Sequence, residues 1–149
     1  MTVTTNIQHI FKQFETASGS FFVGDPGPVI VLWSHADDVT IFGGAGAYAQ
    51  GWTAVRPRIE WAASHFRGGH GTLEPITIGE SGDLAYTIYL ERFEMRGEGS
   101  DELRSGALRI TQIYRREDGD WKIIHRHADP IIEGSEPEWF KMDRVREAN

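Results

Sequence analysis

The chain has 149 residues, 40% of them hydrophobic, which suits one domain with a single core. It contains no cysteine, which excludes disulfides, thiolate nucleophiles and zinc sites built on cysteine. Its formal net charge of −7 repels polyanions, and no basic run stands out against it, so nucleic acid is not an expected partner.

The N-terminal MTVTTNIQHIFKQF lacks a basic leader and a long apolar stretch. The run around PVIVLW is too short to span a bilayer. The expectation is a cytoplasmic protein with no membrane contact. Over 6–18, Ile7, Ile10, Phe11 and Phe14 recur at helical spacing, with Thr5 or Asn6 as the cap. Pro28 suits the first turn of a short helix running to Leu32 or Trp33. Val39–Phe42 reads as a short strand. "GGAGAYAQGW", 43–52, has no phosphate-loop spacing and reads as a rim or a kinked strand. From Thr53 to Phe66, Val55, Ile59 and Ala62 or Ala63 mark a second amphipathic helix, which "RGGHG" ends. Pro57 fits that helix if it lies in the first turn.

The rest reads as four strands, 72–78, 85–94, 103–116 and 121–128, joined by short polar turns. Short connections imply an antiparallel meander, and helices followed by a meander imply α+β. One domain over 1–149 is expected, with 131–149 as a charged tail in which Trp139 and Phe140 are possible docking anchors.

Alternation divides each strand between two faces. In the third strand one set is Ala107, Arg109, Thr111, Ile113, and the other is Leu108, Ile110, Gln112, Tyr114. In the fourth, Trp121, Ile123, His125, His127 and Asp129 fall on one side, and Lys122, Ile124, Arg126 and Ala128 on the other. Neither strand has a clean apolar face. Polar groups therefore enter the interior, or a second copy covers the outside.

His125 and His127 point the same way, and Asp129 continues their row. That spacing admits a metal, but histidines satisfied by their neighbours or lining a pocket are the better reading. Arg109 and Arg126 could clamp a carboxylate. Tyr89, Tyr86 and Tyr48 could donate to a ligand oxygen. The five tryptophans, Trp33 and Trp61 among them, suit apolar ligands, a core or an interface. No GxSxG elbow is present.

"LWSHADDVTIFGG", "GWTAVRPRIEWAASHF" and "LRITQIYRREDGDWKIIHRHAD", in this order, resemble the SnoaL-like members of the NTF2-like superfamily. That superfamily also holds ketosteroid isomerases, scytalone dehydratase and the association domain of a calmodulin-dependent kinase. The resemblance runs from about Ile7 to Pro130. It implies a cystatin-like α+β cone: a strongly curved antiparallel or mixed sheet wrapped around the N-terminal helices, with an apolar pocket inside. The match departs where the isomerases carry their chemistry. Their base falls on Gly43, their first-helix tyrosine on Phe11 or Phe14, and their second donor near Ile110. The association domain's pocket arginines fall on Thr111 and Ala128, with Arg109 and Arg126 two residues away.

Two functions fit. One is an isomerase, cyclase or dehydratase acting on a small apolar substrate. His125 or His127 would move the proton, Asp129 would orient it, and Tyr89 or Tyr48 would polarise a carbonyl, without cofactor or metal. The other is a non-catalytic ligand-binding domain or a homodimeric assembly domain paired through its sheet. Either way the expected pocket is lined by Trp33, Phe42, Tyr48, Trp61, Arg109, Thr111 and Arg126. The expected ligand is small and largely apolar, with a carboxylate or a carbonyl.

Overall fold

The computed structural model describes residues 6–97, 99 and 101–132. The expected tail, with Trp139 and Phe140, lies outside them from residue 133 on. Helix α1, Ile7–Phe21, starts where Asn6 Oδ1 accepts the His9 amide at 2.9 Å. Ile7, Ile10, Phe11, Phe14, Ala17 and Ser18 form its buried stripe. Helix α2, Gly27–Val31, carries Pro28 in its first turn, where a missing N–H costs nothing.

Helix α3, Trp52–Ala63, buries Val55, Ile59 and Ala63. It begins one residue earlier than the sequence suggests, so Pro57 stands past the first turn. Thr53, whose carbonyl loses its helical partner to the proline ring, is exposed and open to water.

Six strands form one sheet in the order β2-β1-β6-β5-β4-β3. They are β1 (Thr40–Phe42), β2 (Tyr48–Gln50), β3 (Phe66–Ser81), β4 (Leu84–Gly97), β5 (Leu103–Glu117) and β6 (Asp120–Pro130). All pairs are antiparallel except β1 with β6. The α+β class and the mixed sheet are as expected, but the cone is not. The order runs from one free edge to the other, and β2 does not pair with β3. The sheet is open and neither closed nor strongly curled around the helices. A three-residue edge strand at one end and a sixteen-residue one at the other offer no matching ladder for closure. The helices lie on one face instead.

The first strand of the meander also starts earlier. β3 takes in "RGGHG", because Gly69 at φ 144° lets the chain pass close to β4: a Cβ there would stand 2.1 Å from the Glu94 carbonyl oxygen.

A bulge in β6 decides which side chains face the helices. Ile113 pairs with His125, but the next residue, Tyr114, pairs with Ile123, so Ile124 is extra. The simple alternation expected from the sequence fails at this point. Trp121 and Ile123 share the helix-facing side with Arg126 and Ala128, not with His125 and His127. The inner face then has a coherent row on each strand. β4 gives Ala85, Thr87, Tyr89 and Glu91, β5 gives Ile110, Gln112 and Tyr114, and β6 gives Trp121, Ile123 and Ala128, all buried. They pack with Phe11, Phe14, Trp33 and Val55 in one core.

Candidate functional site

The inner sheet face, α1, α3 and the glycine-rich turn after β1 enclose a cavity of about 410 Å³. This lies within the roughly 300–1,000 Å³ of small-ligand sites. Phe14, Phe22, Val29, Trp33, Ile59 and Ala128 form its buried apolar wall. Gly44, Ala45, Trp61 and His65 line it and are exposed, so they form the rim. Gly44 approaches Leu108 so closely that a Cβ would meet its Cδ2 at 3.2 Å.

Two charged residues enter this wall from the sheet. Arg126 Nη2 lies 3.1 Å from Glu91 Oε2, and their side chains are only 16% and 7% exposed. Arg126 Nη1 donates to the Tyr89 hydroxyl at 2.9 Å and to Gln112 Oε1 at 2.7 Å. The guanidinium also lies 5.5 Å from the Phe14 ring centre. Behind it a hydrogen-bonded chain crosses the sheet. Tyr89 donates to Gln112 Oε1 at 3.1 Å, Gln112 Nε2 donates to the Tyr114 oxygen at 2.6 Å, and Tyr114 and Thr87 meet at 3.1 Å. Burial holds the Tyr89 phenol well above its usual range and pushes Tyr114 up to about 12. Both remain neutral hydroxyls near pH 7.

A buried ion pair costs desolvation that its attraction repays only with good geometry and further hydrogen bonds. Arg126 has those bonds, which explains how a charged residue is tolerated there. Trp33, 2% exposed and part of the cavity wall, has an indole N–H with no acceptor in the protein among the described residues.

The residues expected at a site fall on two faces. Trp33, Trp61 and Arg126 line the cavity. Tyr89 stands directly behind Arg126. His125, His127, Asp129, Arg109, Thr111 and Phe42 are on the opposite face of the sheet, in register with one another. Tyr48, 78% exposed, packs on Phe42.

On that face His125 Nδ1 lies 2.7 Å from Thr40 Oγ1, and both histidine rings meet Phe42 edge-on at 5.3 Å. Burial, and then the neighbouring His127, lower the His125 pKa. Asp129 accepts two hydrogen bonds from Arg109, at 2.7 Å each, and so does not orient a histidine. Among the described residues no cluster of three or more metal-ligating side chains occurs. Arg109 and Arg126 face opposite ways and cannot close on one anion.

Glu91, Phe93 and Arg58 line the cavity without being singled out for it by the sequence, and of the histidines that the sequence leaves open for the cavity, His35, His65, His125 and His127, it is His65 that lines it. Glu91 was legible in principle: it continues the alternation of Ala85, Thr87 and Tyr89 along β4. Arg58 and His65 follow the helical period of Trp61.

Solved structures share the fold at low identity. An NTF2-like superfamily protein from Salmonella enterica serovar Typhimurium superposes with a TM-score of 0.74 at 16% identity, covering 89% of this chain and 93% of that one. A ketosteroid isomerase-like protein from Erwinia carotovora gives 0.68 at 18%, covering 85% and 94%. An NTF2-like protein of unknown function from Pseudomonas putida gives 0.64 at 24%, covering 87% and 94%. No curated protein matches the chain. No helix among the described residues is long and apolar enough to cross a membrane. The SnoaL-like domain family matches residues 24–133, which hold all six strands and most of the cavity wall, and the chain belongs to that family.

Proposed function

We propose that the cavity binds one small, largely apolar molecule that presents an oxygen acceptor to Arg126. The observation that supports this most is the combination of an apolar wall with one hydrogen-bonded guanidinium set into it. Such a site takes its affinity from burial and its orientation from a few polar groups. Glu91 and His65 are the lining carboxylate and imidazole among the described residues, so any proton exchange with the bound molecule falls to one of them, and not to His125 or His127 on the opposite face.

The test is a titration with 2-acetonaphthone, a neutral aryl ketone, followed by tryptophan fluorescence. Binding in the wild type and its loss in Ala62→Trp, which fills the cavity, are expected. Equal binding by both proteins would place the ligand elsewhere and sink the proposal.

The opposite face favours a second reading, self-association through the sheet. Phe42 and Tyr86 are 44% and 42% exposed there. Sedimentation equilibrium of the wild type against Tyr86→Lys decides it: a species of twice the chain mass that the variant loses supports pairing, and a monomeric wild type ends it.

A further inference from the structure

The cavity treats charge differently at its base and at its rim. At the base both protons of Arg126 Nη1 are spent on Tyr89 and Gln112, and Nη2 faces Glu91. A carboxylate ligand there would share one guanidinium with Glu91, setting two negative charges side by side where water is scarce. A neutral acceptor has no such penalty.

At the rim the situation is reversed. Arg58, Trp61, Ala62 and His65 repeat at helical spacing along α3 and just past its end, and all four line the cavity. The Arg58 guanidinium lies 4.3 Å from the Trp61 ring centre, and the His65 ring packs on the same indole at 4.4 Å. Among the described residues Arg58 has neither an ion pair nor a hydrogen bond, whereas Arg56 on the same helix faces Glu60 at 3.6 Å. His65 Nδ1 donates to the Trp61 carbonyl at 2.8 Å, which fixes the ring. In a chain with net charge −7, an uncommitted guanidinium at a cavity mouth is a local exception.

Resting on the reading of the cavity as a ligand site, we propose that its occupant is an amphipathic keto acid. The acid group sits at the rim on Arg58, beside His65, the apolar body lies in the cavity, and the neutral carbonyl reaches Arg126. Arg58 is then the residue that selects acids over neutral molecules.

The experiment compares three probes: 4-oxo-4-(2-naphthyl)butanoate, its methyl ester, and 4-(2-naphthyl)butanoate, which lacks the ketone. Binding is followed by calorimetry in the wild type and in Arg58→Gln. The keto acid should bind about tenfold more tightly than either analogue. Arg58→Gln should remove the advantage over the ester, weakening the acid about tenfold more than it weakens the ester. The same advantage should shrink as salt is raised. If acid and ester bind the wild type equally, or if Arg58→Gln weakens both alike, the rim assignment is wrong while the cavity reading stands. If none of the three binds, the cavity reading itself fails.

Discussion

Arg109 and Asp129 meet fork to fork, with Nε and Nη2 each 2.7 Å from a carboxylate oxygen, on the face of the sheet turned away from the cavity. This pairing takes the aspartate from the histidines, and the Arg109 hydrogen bonds hold its pKa below the ordinary carboxylate range. Asp129→Asn and His127→Ala should therefore leave naphthyl ketone affinity within twofold of wild type. A loss of binding in either, measured by the same titration, would return the outer face to the site. The sign of the Asp129 shift makes its small contribution to stability present above the unfolded pKa and lost as pH falls through the folded one.

Glu91 and Arg126 should behave as a unit. Glu91→Gln alone leaves a guanidinium buried without its counter-charge, at a cost of about 3–5 kcal/mol. Arg126→Met alone strands the carboxylate at similar cost. The double variant removes both charges and should be destabilised by much less than the sum of the two. Urea denaturation of the three variants measures this coupling, and simple additivity would show that the pair is not interacting.

Alkaline pH should unfold the protein from within the sheet. Burial raises the Tyr114 pKa to about 12 and drives Tyr89 in the same direction. In the unfolded chain both ionise near pH 10. Between the unfolded and folded values the unfolded state binds fewer protons, so stability falls as pH rises. Tyr114 alone accounts for about 2–3 kcal/mol of loss across that window. Tyr114→Phe should flatten this limb of the stability curve, with tyrosinate absorbance reporting when the rings are exposed.

Gly106 should matter to binding although it does not line the cavity. A Cβ there would stand 2.4 Å from Phe93 Cζ, and the Phe93 ring is part of the cavity wall. Gly106→Ala should displace that ring and change probe affinity severalfold while the fold survives. Unchanged affinity would mean that Phe93 yields toward solvent instead.

The sequence exposed the helices and strands more clearly than the faces. α1 was legible because Ile7, Ile10, Phe11 and Phe14 repeat without interruption. β2 was not, because Tyr48–Gln50 is three residues long and sits among glycines that carry no period. The meander was legible from its turns, yet the side chains of β6 were placed with one alternation running its whole length. Ile124, one extra residue against β5, breaks that alternation between Ile123 and His125. Nothing local in "WKIIHRH" marks the bulge. It becomes visible only from the partner strand, where Tyr114 needs an inward neighbour. Hence Arg126 could be proposed for a pocket from its residue type, while the histidines beside it were given chemistry that belongs to the other side. The open sheet escaped for a related reason: strand patterns report pairing and burial, but not how far a sheet curls.

An open sheet has a further consequence at its long border. Among the described residues no strand pairs with the outer side of β3; past Gly68, whose N–H donates to the Phe22 carbonyl at 2.9 Å, the strand presents a row of backbone donors and acceptors, a template on which other chains could stack into fibres. Pro75 supplies no N–H to that row, the register slips between Pro75 and Thr77, and the exposed Glu80 brings a like charge to any approaching copy. The border is thus spoiled as a growth surface at its middle, where an unbroken strand would be most hazardous. Replacing Pro75 with a β-branched residue would restore that surface and turn the domain toward aggregation.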